Sequence, residues 1–194
     1  LCRMKIKNKE KERHFIPMGF GVLTVSDSRT LTNDKSGDIL ENRILNAGHN
    51  IVARDLVKDN KVTIKKILKK WILTKNLDVI ISTGGTGLTG RDVTVEAHND
   101  LYEKKINAFE ILFTKVSIET IGTSAIQSRA CAGVAFGTFL FALPGSPSAC
   151  KDAWDKILCK QFDYRNLPCN FVEILPRLEA VSYTHLTLPT IRLV

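Results

Sequence analysis

Apolar and polar positions alternate along the chain in blocks that predict strands and helices in turn. Four short apolar runs predict buried strands, at residues 20–25, 51–57, 79–83 and 138–143. Apolar residues at helical spacing predict helices, at residues 39–47, 64–72, 97–101, 106–116 and 149–160. Ala47-Gly48 is a typical helix end, and Thr63 is available to cap the second helix.

This order of elements predicts an α/β fold with three layers, α/β/α, around a mostly parallel sheet. Strands that run the same way end at one edge of such a sheet, and ligands bind in the crevice there. Four loops follow the predicted strands and should converge at that edge. They are Ser26-Asp27, Lys58-Asp59-Asn60, the segment 84–92 and the turn at 144–147.

The segment 84–92 carries the most specific chemistry, because a buried strand runs into four glycines and then Asp92. Glycine tolerates positive φ, so successive N–H groups can turn inward around a phosphate. Hydroxyl groups on Thr83, Thr86 and Thr89 add further donors. A carboxylate beside phosphates is repulsive unless a cation lies between them, so the pattern favours a nucleotide with Mg²⁺.

Other interpretations of this segment stay open. Arg91 follows Gly90 where a Walker A loop requires lysine, so that motif does not fit. Residues 85–90 match G-x-G-x-x-G, but they follow the third predicted strand, whereas a dinucleotide fold places this motif after the first. A glycine-rich turn without any ligand is the third alternative.

Charge and composition narrow the classes of protein to which this chain could belong. The chain of 194 residues has a formal net charge of +8, and residues 1–14 hold six basic against two acidic residues. We expect this segment to be a solvated, disordered arm, and no aromatic-interleaved face indicates nucleic-acid binding. Five scattered cysteines form no C-x-x-C pair, which is typical of reduced thiols in a cytoplasmic protein. No apolar segment is long enough to predict a membrane span, and none follows the basic segment as in a secretory signal.

From about residue 15 to 178, the chain resembles the MoaB/Mog family of molybdenum cofactor biosynthesis proteins. The Gly-Gly-Thr-Gly-x4-Asp element after a strand is the most specific match, and two later segments, Gly-Thr-Ser and Pro-Cys-Asn-Phe, resemble the MoaB branch. The matching segments are Leu23-Thr24-Val25-Ser26-Asp27, Ser36-Gly37, Ala47-Gly48-His49, Thr83-Gly84-Gly85-Thr86-Gly87 with Asp92, Ile121-Gly122-Thr123-Ser124, Gln127-Ser128-Arg129-Ala130, Leu143-Pro144-Gly145-Ser146 and Leu167-Pro168-Cys169-Asn170-Phe171.

The resemblance implies adenylyl transfer, in which a molybdopterin phosphate attacks the α-phosphate of Mg-ATP and pyrophosphate leaves. Asp59 and Asp92 match the family's two metal-associated acidic positions, so they are the expected catalytic residues and Mg²⁺ ligands. The expected nucleotide- and molybdopterin-binding residues are Ser26, Asp27, Thr83, Gly84, Gly85, Thr86, Gly87, Pro144, Gly145 and Ser146. Not all MoaB-branch members are established as active, so a non-catalytic protein that binds molybdopterin or nucleotide is the alternative.

The resemblance also implies a homotrimer or a homohexamer. Surplus apolar residues agree with this, because one sheet with two helical layers would struggle to bury them all. These residues are Phe109, Ile111, Leu112, Phe113, Val116, Ile118, Ala132, Gly133, Val134 and Phe136. We expect three segments along the chain: the arm at 1–14, a MoaB/Mog-like domain at 15–180 and a non-native or disordered tail at 181–194.

Overall fold

The computed structural model describes residues 13–178, which form one six-stranded sheet covered by helices on both faces. The strands lie in the order β2-β1-β3-β6-β5-β4. Their bounds are β1 Gly19–Val25, β2 Asn50–Val57, β3 Val79–Thr83, β4 Lys104–Lys105, β5 Cys131–Ala135 and β6 Thr138–Leu143. The predicted α/β class is confirmed, and β3 and β6 have the bounds that the sequence predicted.

Strands β2, β1, β3 and β6 are parallel, and their register brings their ends level. Thr24 of β1 pairs with Thr83 of β3, which in turn pairs with Leu143 of β6. The loops that follow these strands therefore leave the sheet at the same edge. We call the crevice at this edge the cleft.

Strand β5 was missed in the sequence and makes the sheet mixed. It pairs antiparallel with β6 through a tight turn in which Phe136 and Gly137 both have positive φ, 48° and 80°. Two successive residues with positive φ form the kind of turn that matches the twist of a hairpin. The short strand β4 extends the sheet beyond β5, also antiparallel to it.

Within residues 13–178, seven α-helices pack on the two faces of the sheet. They are α1 Lys35–Asn46, α2 Lys61–Ile72, α3 Thr94–Asn99, α4 Asn107–Ile121, α5 Pro147–Ala153, α6 Cys159–Gln161 and α7 Phe171–Leu178, with 3-10 segments at Leu31–Asn33 and Gly122–Gln127 and a π-helical segment at Trp154–Leu158. Helices α1, α4, α5 and α7 cover one face, and α2 and α3 cover the other. Successive strand residues point to opposite faces, so Ile80 packs with α2 while Val79 and Ile81 pack with α1 and α4.

The side chains directly before α1 and α2 cap the first turns of these helices. The Asn60 side chain accepts a hydrogen bond from the Thr63 N–H at 3.0 Å and caps α2, so the prediction that Thr63 is the cap was wrong. Asp34 caps α1 in the same way through the Gly37 N–H at 3.0 Å. Helix α1 ends at the predicted place, and Gly48 follows it with φ 90°.

The two expected tails lie largely outside the described residues, namely 1–12 and everything after 178. Arg13, which the sequence assigned to the basic arm, lies against the domain: its guanidinium donates to the Tyr164 carbonyl at 3.2 Å. The sequence did not predict α7, which packs on the α1 face of the sheet. No helix within residues 13–178 combines the length and apolar character that a bilayer crossing requires.

Candidate functional site

All four predicted loops meet at the cleft. The Asp27 carboxylate accepts a hydrogen bond from the Asp59 N–H at 3.1 Å, which joins the loops after β1 and β2. Asp59 in turn accepts from the Val93 N–H at 3.2 Å, at the end of the segment that follows β3. Gly145, in the turn after β6, lies so close to Gly84 that an added Cβ would be 3.1 Å from the Gly84 Cα.

Two carboxylates, Asp59 and Asp92, lie beside residues 84–92, which we call the glycine loop. One oxygen of Asp92 accepts hydrogen bonds from the Thr89 N–H at 3.0 Å and the Thr89 hydroxyl at 2.5 Å. One oxygen of Asp59 accepts from Val93. Within residues 13–178, the second oxygen of each carboxylate, Oδ2 of Asp59 and Oδ1 of Asp92, accepts no hydrogen bond.

The two carboxylates differ in their electrostatic surroundings. Burial raises the pKa of Asp59, and the neighbouring charges of Asp92, Asp27 and Glu96 raise it further, against the opposing hydrogen bond from Val93. The hydrogen bond from the Thr89 hydroxyl instead lowers the pKa of Asp92 below its ordinary value. The cleft thus concentrates negative charge around Asp59, which a bound cation would relieve.

Bare backbone is required where the loop touches these carboxylates. Gly84 and Gly85 have φ values of 99° and 62°, which side-chain-bearing residues rarely adopt. A Cβ on Gly85 would collide with the Asp59 carboxylate and the Thr94 hydroxyl. A Cβ on Gly87 would lie 2.8 Å from Oδ2 of Asp92.

Some predicted phosphate donors are already engaged within the protein. The Gly84 N–H donates to the Leu143 carbonyl at 3.0 Å, and the Thr83 hydroxyl donates to the Pro144 carbonyl at 3.0 Å. Both bonds fix the start of the glycine loop against β6. The N–H groups of Gly85 and Thr86 make no hydrogen bond to any other residue of 13–178, so they are the free donors at this end of the loop.

The remaining predicted binding residues shape the rim of the cleft. The Ser26 hydroxyl accepts a hydrogen bond from the Arg29 N–H at 3.2 Å. Ser146 caps α5 by accepting from the Ala149 N–H at 3.2 Å. Asp27 pairs with the exposed Arg91 at 3.7 Å. The structure therefore brings every predicted site residue to one edge of the sheet, and their roles toward a ligand stay predictions.

The sequence reasoning missed two arginines at the cleft. Arg29 donates to the Ser36 hydroxyl at 2.7 Å and to the Gly145 carbonyl at 3.0 Å, which ties the turn after β6 to the loop after β1. Arg129 was among the residues that carry the family resemblance, but no role was assigned to it. Its Nε donates to the carbonyls of Thr86 and Gly87, at 3.0 Å each. The sequence did offer one signal for Arg129, because this basic residue stands directly before the buried apolar segment that begins at Ala130.

A fully buried carboxylate, Asp34, lies beside the cleft and was also missed. It accepts hydrogen bonds from the Thr24 hydroxyl at 2.5 Å, the Ser36 hydroxyl at 3.1 Å and the Arg54 guanidinium at 3.2 Å. Burial alone would raise the pKa of Asp34, but these bonds and the one from Gly37 outweigh it and lower the pKa. Asp34 therefore joins β1, α1 and β2 as a satisfied structural ion.

The described part of the chain offers a partial set of metal ligands. No group of three or more His, Cys, Asp or Glu side chains within residues 13–178 could hold a metal ion by itself. Mg²⁺ at nucleotide sites is usually held by one or two protein carboxylates together with phosphate oxygens and water. Asp59 and Asp92, each with one free oxygen, fit that smaller requirement.

Comparison with known proteins identifies the family. A family model described as a probable molybdopterin binding domain matches residues 21–163. Molybdenum cofactor biosynthesis protein B of Escherichia coli K12 is 43% identical over 157 residues, 81% of this chain and 92% of that protein. A probable molybdopterin adenylyltransferase of Methanocaldococcus jannaschii is 42% identical over 141 residues, 69% of this chain and 83% of that protein.

Solved structures agree with the sequence relatives. A molybdenum cofactor biosynthesis protein B superposes with a TM-score of 0.78 at 33% identity, covering 87% of this chain and 99% of that one. The tungsten cofactor synthesizing protein MoaB of Pyrococcus furiosus superposes with a TM-score of 0.70 at 30% identity, covering 84% of this chain and 98% of that one. The resemblance to MoaB/Mog proteins is thereby confirmed, and the chain belongs to the family of probable molybdopterin binding domains.

Proposed function

We propose that this protein acts in molybdenum cofactor biosynthesis by adenylylating molybdopterin with Mg-ATP. A molybdopterin phosphate oxygen attacks the α-phosphorus of ATP. The bond between that phosphorus and the oxygen that bridges it to the β-phosphate breaks, and pyrophosphate leaves. The attacking phosphate is ionised at neutral pH, so the reaction needs alignment and charge neutralisation more than a general base. The observation that carries the proposal is the pair of carboxylates, each with a free oxygen, against a bare glycine loop.

The residues of the cleft divide these tasks. The free N–H groups of Gly85 and Thr86 bind phosphate oxygens, as backbone nests do elsewhere. The turn at 144–147 and the loop after β1, with Ser26 and Asp27, bound the molybdopterin pocket. Asp59 and Asp92 are the residues that would hold Mg²⁺, which would supply positive charge to neutralise the nucleotide phosphates.

The alternative function is a protein of the same pathway that binds molybdopterin or a nucleotide without turnover. Asp59 bears on this choice, because the raised pKa described above marks a carboxylate held in repulsive surroundings. Such perturbed groups concentrate at sites that carry out chemistry. This observation favours the enzyme.

The test is incubation of the purified protein with molybdopterin, ATP and MgCl2, followed by mass spectrometry. We expect adenylylated molybdopterin and pyrophosphate, both abolished by excess EDTA. Parallel reactions with GTP determine nucleotide preference. Molybdopterin binding without product would support the non-catalytic alternative, and the absence of both binding and product would contradict both functions.

We also propose that the chain assembles as a homotrimer or a homohexamer through the outer face of α4. Phe109 and Phe113 of that helix are buried in the core, and so are Ala132 and Gly133 of β5, which removes them from the predicted surplus. Exposed apolar side chains remain on α4 and the segment after it. They are Ile111, Leu112, Ile118, Ile121 and Ile126. A helix with apolar side chains on its outer face as well as on its inner face is normally covered on both faces.

Light scattering coupled to size exclusion tests this assembly. We expect a mass near three or six times the 21.7 kDa of one chain. Ile111→Asp or Ile118→Asp should lower the mass by placing a charge in the contact, whereas Leu73→Asp, on a still more exposed apolar residue of another face, should not. A wild-type monomer at micromolar concentration would contradict the proposal.

A further inference from the structure

Arg129 makes a set of contacts with the glycine loop that no other side chain of the cleft makes. The Nε donates to the carbonyls of Thr86 and Gly87, and Nη2 donates to the carbonyl of Asp92 at 3.0 Å. Both Nη groups also bond the Glu96 carboxylate, which fixes the guanidinium on α3. One side chain thus binds both ends of the segment 86–92, in which Arg91 also pairs with Asp27.

Each bonded carbonyl belongs to a planar peptide group whose N–H points the opposite way. The carbonyl of Asp92 shares its peptide group with the N–H of Val93, and that N–H donates to Oδ1 of Asp59 at 3.2 Å. The carbonyl of Thr86 shares its peptide group with the N–H of Gly87, and the Gly87 backbone lies against the Asp92 carboxylate, because an added Cβ there would be 2.8 Å from Oδ2. The guanidinium therefore reaches both carboxylates, each through one peptide plane.

Only an arginine can make this arrangement. Its guanidinium presents five N–H donors in a rigid plane, and here that plane serves three carbonyls and one carboxylate together. A lysine at this position would keep the positive charge but would present a single ammonium group. The ammonium cannot bind Glu96, Thr86 and Asp92 at once, so at least one of the two peptide planes would be released.

We propose that Arg129 is a positioning residue that orients Asp59 and Asp92 through the Asp92–Val93 and Thr86–Gly87 peptide groups. Its role rests on the proposed function of these carboxylates, because orienting them matters for catalysis only if they handle the nucleotide. Arg129 itself contacts neither carboxylate oxygen that is free for a ligand. Its effect on the reaction is indirect.

The decisive measurement is amide hydrogen exchange of Val93 and Gly87 in the ligand-free protein, followed by NMR. In Arg129→Lys, we expect exchange at both amides to rise at least about tenfold, as local opening becomes easier, while core strands exchange as in wild type. Arg43→Lys is the matched control, since Arg43 makes a similar two-bond contact with Asp155 away from the cleft. Arg43→Lys should leave the exchange rates of both amides unchanged.

A second variant keeps the result interpretable if Arg129→Lys folds poorly. Glu96→Gln removes the anchor of the guanidinium but leaves Arg129 and the carbonyls intact, so we expect a smaller rise at the same two amides. Unchanged exchange of Val93 and Gly87 in both variants would overturn the proposal. This readout does not depend on any ligand.

A double-mutant cycle on Mg-ATP affinity links the inference to function. If Arg129 acts through Asp59, Arg129→Lys should weaken binding about tenfold in the wild-type background and much less in Asp59→Asn. Additive losses would show that Arg129 does not act through Asp59. Increased exchange in a protein whose wild type neither binds nor converts nucleotide would retain the positioning role and refute the proposed function.

Discussion

Two carboxylates of this fold, Asp34 and Asp59, have opposite electrostatic surroundings. Asp34 is fully buried, yet it is surrounded by hydroxyl groups, a backbone N–H and Arg54, so its pKa is lowered. Asp59 is less buried, but its neighbours are other acids and its pKa is raised. Burial alone does not decide the direction of these two pKa shifts. What decides it is whether the protein itself supplies the compensating charge and hydrogen bonds.

The largest effect is expected at the satisfied carboxylate. Asp34→Ala leaves Arg54 without one of its partners and removes the cap of α1, so we expect a loss of about 3–5 kcal/mol in the free energy of unfolding. Urea denaturation measures this directly. Wild-type stability in this variant would contradict the structural role of Asp34 and thus the contrast with Asp59.

The second effect is expected on activity. Asp59→Asn or Asp92→Asn should lower adenylylation by at least about 10²-fold, the usual scale for losing one electrostatic group, and Asp59→Asn should leave stability unchanged or higher. The double variant should be far from additive. Turnover at the wild-type rate in either single variant would refute the metal role. Loss of stability without loss of activity would show that Asp59 resembles Asp34 after all.

A third effect tests the backbone beside Asp59. Gly85→Val should reduce nucleotide affinity by tenfold or more, since the residue has φ 62° and a side chain would strike Asp59 and Thr94. Gly90→Ala is the matched control, because a Cβ there meets nothing within 4 Å. Calorimetry with Mg-ATP measures both. Equal affinities in the two variants would mean that the glycines serve the turn alone.

The smallest effect is the pH dependence of stability. The pKa of Asp34 is lowered on folding, so its contribution is present above 3.8 and lost as the pH falls through its folded value. The pKa of Asp59 is raised, so its ionisation opposes folding as the pH rises above 3.8. Asp59→Asn should therefore gain stability over wild type from pH 3 to pH 6. Asp34→Asn should lose less folding stability than wild type when the pH falls below 3.8. Denaturation midpoints across that range measure both slopes.

The sequence predicted the parts of the fold that depend on local pattern. Strands β3 and β6 are buried on both faces, so they appear as mostly apolar runs without strict apolar–polar alternation, and they were placed correctly. Strand β5 was missed because Cys131–Ala135 is rich in small residues that carry little strand signal. Its pairing with β6 rests on a two-residue turn that contains one glycine.

The convergence of the loops was predicted, since it follows from parallel strands alone. The contacts of Arg129 could not be predicted in the same way. Its partners lie 33 to 43 residues away, and three of them are backbone carbonyls, which every residue carries. A side chain that binds backbone leaves no complementary residue type in the sequence to be found. The same holds for Arg29 and the Gly145 carbonyl.

The contact between Gly84 and Gly145 has a consequence for the order in which the protein is made. The two residues are 61 positions apart in the chain, and a Cβ added to Gly145 would lie only 3.1 Å from the Gly84 Cα. A ribosome adds about 5–20 residues per second, so the glycine loop emerges roughly 3–12 s before the turn that supports it. During that interval β3 has no β6 beside it, and its edge is open to other chains. The nascent protein therefore depends on its last third both to complete the cleft and to cover the open edge of β3.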